Sequence, residues 1–431
     1  MQPADIIAIV LVLGAVIGCL NSLYFRLPPA IGVLLGSLVL SALIVTTDRL
    51  FSLHALGWFR STLDSANLPH LFLDGTLALL LFAGSLHVDF AALHKRRWMI
   101  VLLATASVII SMVVFGFGMR GIFWLVGADV PLVWCFVLGA VLAPTDAIVV
   151  ATLLKRVNLP ESLRAAIVGE SLFNDGAAVV LFLVALRVAH GEPIVIGEGH
   201  IAWALAREIL GGVGIGIAFA WIAVRAIRAI KDDGLRLLIE LALALAAYRV
   251  ANVADMSGPI AVVTAGMWVG NALQRATPGG DIRPALVAFW TLLDQLLNTM
   301  LFLLIGFQVL GLTFQISHLL QVVLAIPLAI AARMVSVALP LAFARGSLRA
   351  KSHEAAVLTW AGLRGGISVA LALTLPASPW RADLLVICYA VVVFTIVVQG
   401  LSLPAVLRKI YGATAVEPAP APQAHPGEPR P

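Results

Sequence analysis

Stretches of about twenty predominantly apolar residues follow one another along nearly the whole chain, with only short polar breaks between them. They fall at 4–24, 27–46, 69–88, 98–119, 130–154, 162–187, 201–224, 235–253, 258–273, 284–312, 317–344, 353–375 and 383–407. Each suits a helix crossing a hydrocarbon layer ~30 Å thick, where every backbone amide and carbonyl must be satisfied within the segment. The pattern predicts an all-α polytopic membrane protein of about thirteen transmembrane helices. Composition agrees: with 61% apolar and 12% charged residues over 431, and a mean hydropathy of +1.03, no length is left for a large soluble catalytic domain.

The ends and loops complete this outline. The N-terminus lacks a basic n-region and a small-residue cleavage signature, so 4–24 reads as a retained first helix. The segment 48–68 is too polar to span and is expected along the membrane interface. The Pro-rich stretch 412–431 lacks the apolar content to fold and is expected to be a disordered cytoplasmic tail on a transmembrane domain at 1–411. Lys95, Lys155, Lys231, Lys351 and Lys409, every lysine in the chain, fall on one side of an odd-span topology together with most arginines. The positive-inside rule then places the N-terminus outside and the C-terminus in the cytoplasm of a cell (inner) membrane protein. With 28 basic against 23 acidic residues, no nucleic-acid partner is called for. Cys19, Cys135 and Cys388 lie in apolar runs, with neither a disulfide framework nor a CxxC pair. No HExxH or GxSxG is present, so an enzyme is not expected and no cofactor is required.

Ionisable residues inside spans are costly and mark function by default. In the fifth span, Pro144 removes a backbone donor, and the helix should break around Ala143–Thr145 with Asp146 opening the second half-helix. The sixth carries Glu170, Ser171, Asn174 and Asp175; Ser171, Asn174 and Asp175 share one face, and Glu170 projects about 100° away from Ser171. In the twelfth, Gly362, Gly365 and Gly366 flank Arg364 and permit unwinding. A guanidinium at that depth needs an acidic partner, for which Glu170 is the candidate. The two interrupted spans lie seven apart, as expected for two inverted six-helix repeats, 4–188 and 235–411, around a linking helix at 201–230. Asp74, Glu208, Glu240 and Asp294 fall toward span ends, where interfacial positions are expected; Arg333 is expected to bond carbonyls or snorkel.

The segments LLFAGSLHVDF followed by HKRRW, APTDAIVV, GESLFNDGAAVVLF, NTMLFLLIG and WAGLRGGISVALAL occur in that order. On these, residues 4–410 resemble the monovalent cation/proton antiporter family, specifically its Na+/H+ exchanger branch. The resemblance implies a homodimer in the lipid bilayer and a domain in which the two broken helices cross beside the sixth. It further implies that Asp175, paired with Asn174, carries the ion and the proton, with Thr145, Asp146 and Ser171 completing the ion site. Na+ would rest on Asp175, Ser171 and the Thr145 carbonyl, and Glu170 and Arg364 would form a buried structural ion pair. One departure matters: where many relatives have a glutamate in the third span, this chain has Ala83. That leaves Na+, Li+ and K+ undistinguished, so a K+/H+ antiporter or another small-ion carrier stands beside Na+/H+ exchange; an ion channel is a weaker reading.

An isolated aspartate titrates near ~3.9, too low to exchange protons near neutrality, and burial disfavours the charged form of any carboxylate. A carboxylate in such a site holds a proton or a partly dehydrated cation, but not both. That competition would couple the two fluxes.

Overall fold

The computed structural model describes residues 3–51, 75–86, 88, 97–146, 150, 161–191, 200–276, 284–312, 315–343 and 348–411. Among the described residues the secondary structure is helical, with no strand. The chain runs through α1 (Pro3–Leu20, continued by a π-turn Asn21–Phe25), α2 (Pro29–Phe51), α3 (Leu77–Leu86), α4 (Arg97–Val126) and α5 (Leu132–Val141). It continues through α6 (Glu161–Ala189), α7 (His200–Ala229), α8 (Asp233–Val253), α9 (Gly258–Ala276) and α10 (Pro284–Gln308). The last are α11 (Ile316–Ala342), α12 (Leu348–Trp360), α13 (Gly366–Leu373), α14 (Arg381–Phe394) and α15 (Gly400–Tyr411), the final two joined by a π-turn at Thr395–Gln399.

Every apolar stretch expected to span overlaps at least one of these helices, and among the described residues 8 continuous helical runs are long and apolar enough to cross a membrane. α3, α5 and the Gly258–Leu273 part of α9 are shorter apolar helices. Residues 48–51, expected at the interface, instead extend α2 to Phe51; the rest of that segment to 68 lies outside the described residues, as does the tail 412–431.

Both expected interruptions are present. α5 stops at Val141 and Leu142–Asp146 are not helical, as the missing amide of Pro144 requires; beyond Asp146, Val150 alone of this span is among the described residues. The twelfth span stops at Trp360, passes through the non-helical stretch 361–365 and resumes as α13 at Gly366.

Two apolar clusters organise the bundle. The larger joins α4, α5, α6, α11, α13 and α14 through residues such as Phe115, Leu138, Phe182, Val337 and Ile387, and includes Phe302 of α10. The smaller joins α3, α7, α8 and α9 around Phe82, Ala244 and Val262, and includes Trp290 of α10. Within the smaller, α9 lies so close on α3 that a side chain at Gly270 would overlap the Leu86 carbonyl. Small residues at such a contact let two backbones touch where no hydrophobic driving force separates helix from lipid. The helices that carry the interrupted spans thus sit together, and α10 reaches across both clusters.

Candidate ion-binding site

The two interruptions meet. The backbone N–H of Asp146 donates to the carbonyl of Leu363 at 2.7 Å, joining the fifth span to the twelfth where each has lost its helical bonding. The Arg364 guanidinium donates through Nη1 to the carbonyls of Ala143 and of Pro144, the latter at 3.1 Å, and through Nη2 to Ser111 Oγ at 3.5 Å. Its own backbone N–H donates to Thr395 Oγ1 at 3.1 Å. Carbonyls freed by a break point their negative ends at whatever is nearby; here a buried cation takes them up. Gly365 lies directly against the Asp146 carboxylate, and a β-carbon there would overlap it.

The sixth helix lines this crossing. Thr145 Oγ1 and Ser171 Oγ share a hydrogen bond at 3.1 Å, and Asn174 Nδ2 donates to Thr145 Oγ1 at 2.7 Å. All three are buried, and the Asn174 Oδ1 has no hydrogen-bond partner. One turn on from Ser171, Asp175 is 8% exposed and receives no hydrogen bond or ion pair from any described residue. Asp146 is the charged group that acts on it. Four expected residues, Thr145, Asp146, Ser171 and Asn174, are therefore brought together around the crossing, with Asp175 an open carboxylate beside them. Among the described residues no group of three or more His, Cys, Asp or Glu is arranged to hold a resident metal.

The expected pair of Glu170 with Arg364 is corrected by the geometry. Glu170 Oε1 accepts from Arg333 Nη1 of α11 at 2.5 Å, both side chains being buried. Arg333 also donates to the Leu358 carbonyl at 3.2 Å and lies against Gly362. The reason is that the broken fifth helix supplies Arg364 with its own negative partners, while Arg333, deep in an apolar helix, has Glu170 within reach. Arg364 lies near enough to both for their charges to act on it, without contact with Glu170. The expectation that Arg333 bonds a carbonyl holds; its ion pair is an addition. Both arginines are visible in the sequence as charges inside spans, but nothing in the residue spacing ranks them as partners. Ser111 and Thr395, which support Arg364, carry no signal that marks them among other membrane serines and threonines.

Ala83 is buried in α3 beside Phe82, and the nearby Ser85 Oγ donates back to the Phe82 carbonyl at 2.8 Å. Neither the methyl nor the already bonded hydroxyl replaces a carboxylate. Glu240, expected near an interface, is 2% exposed and accepts from Trp290 Nε1 at 2.5 Å.

An all-helical membrane bundle in which two interrupted spans cross beside a buried, open carboxylate defines a secondary ion transporter by class. Residues 6–409 match the family described as sodium/hydrogen exchanger, transmembrane. The Na+/H+ antiporter NhaP of Pseudomonas aeruginosa is 34% identical over 418 residues, spanning 96% of this chain and 98% of that protein. The Na+/H+ antiporter NhaH of Halobacillus dabanensis is 28% identical over 355 residues, spanning 82% of this chain and 84% of that one. Among solved structures, the sodium proton antiporter MjNhaP1 from Methanocaldococcus jannaschii at pH 8 has a TM-score of 0.70 at 19% identity, covering 93% of this chain and 98% of its own, a likeness of fold. The chain belongs to the sodium/hydrogen exchanger family.

Proposed function

We propose that the protein is a secondary active transporter that exchanges Na+ for H+ across the cell membrane by alternating access, with the two ions competing for Asp175. The observation that carries this reading is the open Asp175 carboxylate on the helix whose Ser171 and Asn174 bond the Thr145 hydroxyl at the crossing. Hard monovalent cations take oxygen ligands, and Asp175, Ser171 and Thr145 offer a carboxylate, a hydroxyl and a hydroxyl with its carbonyl. Asn174 holds Thr145 in place, and Asp146 adds negative charge at the break. Arg364 neutralises the freed carbonyls, and Glu170 with Arg333 ties α6 to α11. A proton on Asp175 removes the charge that holds the cation, and a bound cation excludes the proton. Moving the empty anion through an apolar barrier is costly, so each passage of the carrier takes one ion or the other.

The names borne by the relatives support Na+ as the cation. Ala83, which lacks the carboxylate found there in many relatives, favours keeping K+/H+ exchange as a second reading. This proposal includes the division into repeats at 4–188 and 235–411 around 201–230, a homodimer, and an orientation with the N-terminus outside. The test is proton flux in everted vesicles driven by Na+, Li+ or K+ in turn, across pH, wild type beside Asp175→Asn. Cation-dependent flux in wild type and none in the variant is expected; equal flux in both would overturn the assignment.

A further inference from the structure

α10 crosses from one apolar cluster to the other, and the step between them is polar. Its early turns hold Trp290 in the smaller cluster, and its later turns hold Phe302 in the larger. Between lie Asp294 and Asn298. Trp290, Asp294, Asn298 and Leu301 follow a 4-4-3 spacing and form one stripe on the helix. One end of the stripe is fixed by the Trp290 bond to Glu240 of α8. The other is fixed by Leu301, which rests against Gly366 where the twelfth span resumes beyond its break. The Leu301 end of the stripe therefore lies at the crossing, and Asn298 stands one turn before it.

Asn298 is held in an unusual way. Its Nδ2 donates to the Asp294 carbonyl at 2.8 Å and to Asp294 Oδ1 at 3.1 Å. Both donors are used within the helix, which turns Oδ1 away from the α10 backbone. That oxygen is buried with no hydrogen-bond partner in a residue only 6% exposed. A buried polar atom without a partner costs about 1–3 kcal/mol, and a fixed amide oxygen beside a carboxylate suits a hard cation. Asn298 also lies as many residues into α10 as Asp175 lies into α6, about 21 Å along each helix at 1.5 Å per residue.

We infer that Asp294 and Asn298 form a second cation-binding station on α10, at which the transported monovalent cation is held by the Asp294 carboxylate and the Asn298 amide oxygen before it reaches Asp175. The station rests on the exchange reading given above. It supplies an acidic ligand from α10 in a chain whose third span offers Ala83.

The experiment is Na+-dependent proton flux in proteoliposomes of the full chain, comparing wild type with Asn298→Ala, Asn298→Asp and Asp294→Asn, together with thermal melting of each. Asn298→Ala and Asp294→Asn are each expected to raise the apparent KM for Na+ at least about fivefold, with the loss falling on KM more than on turnover. Asn298→Asp, which keeps an oxygen at that position, is expected to retain or lower the KM. Asp294→Asn preserves the Oδ1 acceptor and the side-chain shape, so it decides the matter if Asn298→Ala folds poorly. An unchanged KM in Asp294→Asn, or a loss in turnover and melting temperature alone, overturns the station. Absence of cation-coupled flux in wild type, or flux surviving Asp175→Asn, would instead defeat the exchange reading itself.

Discussion

Arg333 of α11 donates to Glu170 of α6 at 2.5 Å, and both side chains are buried among apolar helices. The pair spans 163 residues of sequence and joins the helix that carries Asp175 to the helix packed behind the twelfth span. Removing one partner leaves the other charged and unpaired in a low-dielectric interior. Arg333→Met and Glu170→Gln are each expected to destabilise the protein by about 3–5 kcal/mol. The double variant is expected to recover much of that loss, because no lone charge remains. Thermal melting in detergent of the two single variants and the double variant checks this; additive losses would contradict a direct pair.

Arg364 acts on carbonyls, which a guanidinium reaches with several donors in a fixed fork and an ammonium cannot. Arg364→Lys is expected to fold with reduced melting temperature and to exchange ions about tenfold more slowly. Arg364→Ala, which abandons the Ala143 and Pro144 carbonyls altogether, is expected to lower the yield of folded protein. Yield, melting temperature and vesicle flux measured together separate the two outcomes.

Gly365 has no room for a β-carbon, because Asp146 occupies that space. Gly365→Ala should displace the Asp146 carboxylate or separate the crossing, at a cost of about 1–3 kcal/mol. Transport should fall further than stability, since the displaced group stands beside the ion site. A variant with normal flux and normal melting would show that the crossing tolerates more space than its packing indicates.

The Thr145 hydroxyl holds two hydrogen bonds, from Asn174 and with Ser171. Thr145→Ser keeps the hydroxyl and is expected to retain exchange with a modest change in apparent KM. Thr145→Val keeps the shape, removes both bonds and leaves Asn174 Nδ2 unpartnered, so its KM for the cation should rise about tenfold. Flux against cation concentration for the two variants, side by side, gives the comparison.

The fold is legible in the sequence because membrane solvent leaves few choices: apolar runs of sufficient length must become helices. Pro144 announces the first interruption through its missing amide, and Gly362, Gly365 and Gly366 announce the second. The clustering of Ser171, Asn174 and Asp175 comes from helical spacing alone. What the residue order does not supply is distance between separate spans. Glu170 has two buried arginines available, and the choice between them turns on the carbonyls released at Ala143 and Pro144, which Arg364 takes. Glu240 looks interfacial by its place in the span, yet Trp290 of α10 covers it. The π-turn at Thr395–Gln399, which presents Thr395 to the Arg364 amide, leaves no trace in an apolar sequence.

Competition between proton and cation at Asp175 is the central claim, and flux under both concentrations tests it most directly. In proteoliposomes of the wild-type chain, the apparent KM for Na+ should rise as pH falls, while the rate at saturating Na+ is far less affected. Asp175→Asn, which keeps the side-chain shape and cannot ionise, should fold, insert and show no Na+-dependent proton flux. Na+-dependent flux persisting in Asp175→Asn, or a wild-type KM for Na+ that does not move with pH, would contradict the account.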